Sequence, residues 1–189
     1  MYTNKSFQQL MSFVGKRQFS LYNYRDTANP RVFFTVSKNG QPLGDLVFEL
    51  YRNHTPQHAE NVLSFATGDN KWKASYSGSL LNKGFPGIVL QGGRITDCNA
   101  SVNGGRLPDE GLHYMRHHKR GQLSMVNDGE NANGHEFMIT LGKVDFLDGY
   151  HTVVGELVEG EEVLNAAESS LSRLGHTVDE IKIEHSGTR

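Results

Sequence analysis

The chain has 189 residues, a length that suits one domain with a core large enough to fold alone. Charged residues make up 21% and hydrophobic residues 37%, and a formal net charge of −2 gives no overall reason to bind nucleic acid. The 21 glycines exceed the usual share of about 7% and favour a loop-rich β structure over a helical bundle. One cysteine, Cys98, excludes an internal disulfide and fits a reducing compartment.

The first segment, residues 1–28, is predicted to be a basic leader. Residues 1–25 hold Lys and Arg side chains but no Asp or Glu, and Phe7, Leu10, Met11 and Val14 have the spacing of one helical face. Such a segment is typical of a mitochondrial transit peptide, so we expect the mitochondrial matrix. A docking arm, or the basic tail of a cytoplasmic protein, is the alternative. No apolar run reaches the roughly 18 residues that a membrane helix needs.

The pattern changes to β structure after the leader. Val32, Phe34 and Val36 mark a strand, Asn39 and Gly40 supply a hairpin turn, and residues 45–51 form the predicted return strand.

A helix is predicted next. Thr55 is its expected cap, Pro56 its first residue and Gly68 its end. The apolar stripe of this helix consists of Ala59, Val62, Leu63 and Ala66.

The remaining chain contains short apolar runs separated by Gly-, Asn- and Asp-rich loops. The runs cover residues 88–90, 123–126, 137–141 and 152–158; a second helix is expected at 161–169 and a closing strand around 181–183. Short strands with two helices and no repeat predict a mostly β fold, a closed antiparallel barrel with helices at its ends, in one domain over residues 29–189.

Metal and nucleotide sites are not predicted. His113, His117 and His118 have chelating spacing, but the neighbouring Lys and Arg side chains favour a solvated basic loop. Residues 135–139 begin like a zinc-protease helix but have Ile139 in place of the second His. No glycine pair leads into the Lys and Ser/Thr of a phosphate loop, so we expect no cofactor.

A set of short motifs follow one another in order over about residues 29–187. They are Asn29-Pro30-Arg31-Val32-Phe33-Phe34, Pro42-Leu43-Gly44, Phe48-Glu49-Leu50, Pro56 with Ala59-Glu60-Asn61, Pro86-Gly87, Gln91-Gly92-Gly93, Leu123-Ser124-Met125-Val126-Asn127, Asn133-Gly134, Leu147-Asp148-Gly149, and His151 with Val153-Val154-Gly155. Each motif alone is weak, but the ordered set is highly specific, and it resembles the cyclophilins.

The resemblance implies an eight-stranded closed antiparallel barrel capped by two helices. It also implies cis–trans isomerisation of X-Pro bonds, whose uncatalysed barrier is about 18–20 kcal/mol. In cyclophilins an arginine donates toward the prolyl nitrogen, and an aromatic-lined pocket holds the proline ring.

Several positions that the resemblance assigns to this chemistry carry other side chains. Lys83 stands at the position of the catalytic arginine. Ile88 and Met138 stand where the proline pocket has two phenylalanines, and Val89 stands in place of a methionine. The flat aromatic walls are therefore lost, although the pocket stays apolar.

The polar rim of the implied site is altered too. Glu136 replaces a glutamine and puts a negative charge within reach of Lys83, and Phe146 replaces the tryptophan that contacts cyclosporin. The other implied substrate-binding residues are Gln91, Val126 in place of an alanine, Asn127, Leu147 and His151.

Together these changes favour a cyclophilin-like protein with weak or absent isomerase activity. It would serve as a binding or accessory structural subunit of a larger, mitochondrial assembly, and dock a protein partner through the N-terminal arm or the barrel surface. A proline-containing peptide is the implied ligand. The alternative is an active peptidyl-prolyl cis–trans isomerase that assists protein folding.

Overall fold

The computed structural model describes residues 23–96, 98 and 100–189. The predicted apolar face of Phe7, Leu10, Met11 and Val14 lies outside these residues. Tyr24, near the end of the predicted leader, lies against the domain. The Tyr24 ring is buried and packs edge-on against Tyr51, with ring centroids 5.4 Å apart. Its hydroxyl donates to the Tyr114 carbonyl at 3.1 Å.

Eight strands form one antiparallel sheet, in the order β3-β4-β6-β5-β7-β2-β1-β8. The strands are β1 Arg31–Lys38, β2 Gln41–Leu50, β3 Leu81–Phe85, β4 Val89–Gly92, β5 Gln122–Asn127, β6 Asn133–Thr140, β7 Val153–Glu159 and β8 Ile181–Thr188.

The two edges of the sheet approach each other. Gly78 N–H donates to the Ile183 carbonyl at 2.7 Å, and Ile183 N–H donates to the Ser79 carbonyl at 2.9 Å. These bonds join the segment before β3 to β8 and nearly close the barrel. The predicted mostly β, eight-stranded antiparallel barrel with two helices is confirmed.

The β1–β2 hairpin turns at the predicted residues, but its return strand begins earlier than predicted. Both turn residues, Asn39 and Gly40, have positive φ angles, of 49° and 77°. This two-residue turn places Lys38 directly opposite Gln41. The return strand therefore begins at residue 41 and not at residue 45, because the turn starts the pairing at once even though the first residues are polar.

An aromatic cluster forms the centre of the barrel. Phe34 stacks on Phe137 with ring centroids 5.2 Å apart, and Tyr76 meets Phe137 edge-on at 5.1 Å. All three side chains are fully buried. Because side chains alternate along a strand, burial of Phe137 and Ile139 directs Glu136 and Met138 to the opposite face of β6.

Two helices cover the barrel, as predicted: α1 over Pro56–Thr67 and α2 over Glu161–Glu168. Gly68 ends α1 in the left-handed conformation with φ of 72°. Helix α2 packs closely on β2, where a Cβ on Gly44 would lie 3.0 Å from Val163 Cγ2. No helix among the described residues is long and apolar enough to cross a membrane.

The predicted cap of α1 is wrong in its chemistry. The Thr55 hydroxyl donates backward to the Tyr51 carbonyl, and the cap is the Glu110 carboxylate, which accepts from the N–H groups of Gln57 at 3.3 Å and His58 at 3.0 Å. A carboxylate is the stronger acceptor at the positive end of a helix, so it takes the place of the threonine hydroxyl.

We expect Glu110→Gln to lower the free energy of unfolding by about 1–3 kcal/mol, because the amide is a weaker acceptor for these N–H groups and for His58 Nδ1. Burial alone would raise the pKa of Glu110, but the hydrogen bonds from His58 hold it below its ordinary value of 4.5. The carboxylate therefore stabilises the fold above about pH 4.5, and this contribution is lost as the pH falls below that value.

Urea unfolding measures the effect, with the exposed Glu60→Gln in the same helix as the control. Equal losses for the two variants would contradict the capping role.

Candidate active site

The strand register brings the implied catalytic position next to the implied peptide-binding residues. Lys83 on β3 pairs with Gln91 on β4, Gln91 pairs with Met138 on β6, and Met138 pairs with Ser124 on β5. Directly opposed residues of an antiparallel sheet point to the same face. These four side chains therefore form one row across the barrel wall.

A cleft of about 300 Å³ lies at this row. It is lined by four implied site residues, Lys83, Gln91, Val126 and Glu136, together with Arg94, Arg106, Asp128, Gly134 and His135.

The charge pairing in the cleft differs from the expectation for Lys83 and Glu136. Glu136 accepts a hydrogen bond from Gln91 Nε2 at 3.2 Å, and its other oxygen lies 3.9 Å from Arg94 Nε. The exposed Lys83 side chain makes no hydrogen bond or ion pair with any residue that the structure describes. Lys83 and Glu136 therefore share the cleft without pairing in it.

A second cleft lies beside the first, at Asn127, the residue that follows Val126 on β5. It is lined by Asn127 and His151 of the implied site, with Asp109, Leu112, Gly129, Glu130, Asn131, Gly149 and Tyr150. Asn127 Nδ2 donates to the Tyr150 carbonyl at 2.7 Å. His151 Nδ1 lies 3.0 Å from the Met125 carbonyl, and because a carbonyl only accepts, this nitrogen carries the proton. Burial lowers the pKa of His151 despite that bond, so His151 is a neutral, fixed part of the wall.

The implied apolar residues differ greatly in exposure. Met138 is 5% exposed, whereas Ile88 is 37% and Phe146 63% exposed. Val89 begins β4 and Ile88 directly precedes it, and the Ile88 carbonyl accepts from Leu141 N–H at 2.9 Å. Phe146 and Leu147 lie in a short 3₁₀ turn, Asp145–Leu147, and the Leu147 carbonyl accepts from His151 N–H at 3.3 Å.

A buried polar network supports the row from one side. His117 Nδ1 donates to Asp148 Oδ1 at 2.9 Å, and His117 Nε2 lies 2.9 Å from the Ser124 hydroxyl. This places a serine, a histidine and an aspartate in order, but Ser124 and His117 are fully buried, so no substrate reaches the hydroxyl. The network fixes the strand beside Met138.

The solvated-loop prediction is wrong for His117. Only His113 of the three histidines is exposed; His117 is buried and His118 is partly buried. Asp148, which follows His117 by 31 residues, accepts from both its ring and its backbone N–H, and this carboxylate compensates for the burial of the ring.

A model of the family described as cyclophilin type peptidyl-prolyl cis-trans isomerase/CLD matches residues 33–188. The chain belongs to the cyclophilin family. The eight-stranded barrel with two helices is the cyclophilin fold, and the positions named from the resemblance can be placed on its strands. Their roles in substrate binding stay predictions.

Sequence reasoning missed two cations of this cyclophilin's cleft, Arg94 and Arg106. Arg94 directly follows Gln91-Gly92-Gly93, so its place beside the implied site was a usable signal. No motif next to Arg106 in the sequence pointed to the cleft. Its guanidinium lies over Gly134, where a Cβ would be 2.8 Å from Nη1, and it pairs with Asp128.

We expect the cyclophilin to lose stability as the pH falls from about 6.5 to about 5.5. His117 and His135 are buried, and burial lowers the pKa of each from its ordinary value of 6.5. Below pH 6.5 the unfolded chain takes up more protons at these two positions than the folded chain does, so the free energy of unfolding falls as the pH falls. Urea midpoints at the two pH values measure the loss.

The control is the exposed His185→Gln, which should keep the full pH dependence, whereas His117→Gln should reduce it. Equal stability of the native protein at the two pH values would contradict the neutral, buried state of both rings.

Proposed function

We propose that this cyclophilin binds proline-containing segments of a protein partner and isomerises them weakly or not at all. The observation that carries the proposal is that the Lys83 side chain is exposed and has no hydrogen-bond or ion-pair partner among the described residues. Lys83 stands at the arginine's position and is the only cation in the row of paired residues across the barrel wall. Its ammonium is exposed, and no described residue holds it in place.

Catalysis of this reaction needs a donor that is fixed before the transition state forms. A lysine is a mobile point charge, and it lacks the planar fork by which an arginine is oriented through several hydrogen bonds. Gln91 does not orient Lys83: its Nε2 donates to Glu136, and its side-chain oxygen accepts no hydrogen bond from the Lys83 ammonium. The aromatic walls are also absent at Ile88 and Met138.

Binding is supported by the parts of the site that are kept. Val126 and Asn127 are consecutive residues at the end of β5, and they face two neighbouring clefts. The Asn127 amide and the His151 ring are each fixed by a backbone carbonyl. A peptide lying along this strand end meets polar groups that do not have to be ordered on binding.

A coupled isomerase assay on a proline tetrapeptide tests the proposal. We expect kcat/KM to lie about 10²–10³-fold below that of an arginine-containing cyclophilin measured in parallel. Comparable turnover would contradict the proposal and favour the alternative, an active isomerase.

We further propose that the protein is an accessory subunit of a mitochondrial assembly. The acid-free sequence of residues 1–25 supports this, as does the buried Tyr24, which anchors the end of the leader to the barrel. Residues 1–28 fused to a fluorescent protein should enter mitochondria, and the same fusion with Lys16 and Arg17 changed to Glu should not. A diffuse cytoplasmic signal from the unmodified fusion would contradict this localisation.

A further inference from the structure

Two cations in the cleft of Lys83 have unused hydrogen-bond donors. The ammonium of Lys83 is unpaired within the described part of the chain. The guanidinium of Arg94 donates no hydrogen bond to the described residues, and Glu136 Oε1 lies 3.9 Å from its Nε. The Arg94 side chain is 66% exposed, so its donors are open to a ligand.

The other charged groups of the cleft are already matched. Arg106 forms a close ion pair with Asp128. Glu136 accepts from Gln91 and faces Arg94. His135 accepts Ile95 N–H through Nε2 at 2.9 Å, and because burial lowers its pKa the ring is neutral. The three cations and two carboxylates among the lining residues leave one excess positive charge in the cleft.

We propose that this cleft selects proline-containing peptides with an anionic side chain, a carboxylate or a phosphate, directly before the proline. The inference rests on the proposed peptide binding and names the class of peptide. Arg94 offers a fork of N–H donors that fits the oxygens of either anion, and Lys83 adds a point charge. Gln91 and Val126 line the same cleft, so an anion held there lies beside the implied path of the peptide.

Calorimetry on the full chain tests the inference with four peptides that differ only in the residue before proline: Glu, phosphoserine, Gln and Lys. We expect the Glu peptide to bind about three- to ten-fold more tightly than the Gln peptide, as fits one or two exposed charge pairs. The phosphoserine peptide should bind at least as tightly as the Glu peptide, and the Lys peptide should bind most weakly. The preference should shrink as salt is added, because these charges are solvent-exposed.

Two variants assign the effect to the cleft. Arg94→Gln should reduce the Glu-over-Gln preference to about two-fold or less. Arg52→Gln removes one exposed positive charge outside the lining of the cleft and should keep the full preference.

The outcomes separate this inference from the proposal beneath it. Equal affinity for the Glu and Gln peptides would overturn the anion selectivity and leave proline-peptide binding intact. Undetectable binding of all four peptides would overturn both. Equal binding of a Glu-Ala peptide without proline, or a preference that survives in Arg94→Gln, would also refute the selectivity argued for this cleft.

Discussion

The triple variant Lys83→Arg, Ile88→Phe, Met138→Phe is expected to raise kcat/KM for a proline tetrapeptide by about 10²–10³-fold. Removal of one preorganised donor from other enzymes costs about that factor, and its return should recover it. Lys83 pairs with Gln91 across the β3–β4 ladder, so an arginine at this position starts from the same strand and faces the same cleft. The two phenylalanines restore flat walls for the proline ring.

The single variants divide this gain between its parts. Lys83→Arg alone should raise kcat more than it changes KM, whereas the phenylalanine changes should mainly lower KM. Met138 is almost fully buried, so the larger ring at this position is expected to cost about 1–3 kcal/mol of stability. The control Lys38→Arg, at the end of β1 and paired with Asp179, should change neither constant. An unchanged kcat/KM in the folded triple variant would refute the argument that these three positions limit turnover.

Cyclosporin is expected to bind this protein no better than micromolar. Phe146 stands where the resemblance places a tryptophan, and a phenyl ring has no N–H to donate. Loss of one such partner costs about 1–3 kcal/mol, or about 5- to 150-fold in Kd. The ring of Phe146 is 63% exposed, so a tryptophan fits at this position without repacking the core.

Phe146→Trp should therefore tighten cyclosporin binding at least five-fold in calorimetry. Phe85→Trp, a change at another exposed phenylalanine outside the lining of the two clefts, should leave the Kd unchanged. Submicromolar binding by the native protein would show that the missing indole N–H does not limit affinity.

Local sequence patterns predicted the elements that local interactions determine. The turn at Asn39 and Gly40 and the helix that begins with Pro56 depend on residues a few positions apart, and both were found where expected. Strand β3 was not visible as an apolar run because Asn82, Lys83 and Gly84 interrupt it. Its pairing with β4 makes it a strand, and the resemblance alone supplied the eighth strand.

The features that sequence analysis did not predict depend on contacts between distant parts of the chain. Glu110 caps a helix more than 50 residues earlier, and Asp148 compensates the burial of His117 from 31 residues away. In the cleft, the motif order placed Lys83 and Glu136 near each other. Which partner Glu136 contacts depends on the direction of the Gln91 and Arg94 side chains across neighbouring strands, and a single sequence does not encode that direction locally.

An NMR titration of the full chain into an isotope-labelled proline peptide tests the central claim most directly, because it measures binding and isomerisation in one sample. The uncatalysed exchange takes about tens to hundreds of seconds, so the cis and trans forms give separate signals. We expect the peptide signals to shift as it binds while no cis–trans exchange cross-peaks appear, at protein concentrations where an arginine-containing cyclophilin produces them. Strong exchange cross-peaks with the native protein, or a peptide whose signals do not shift at all, would contradict the account.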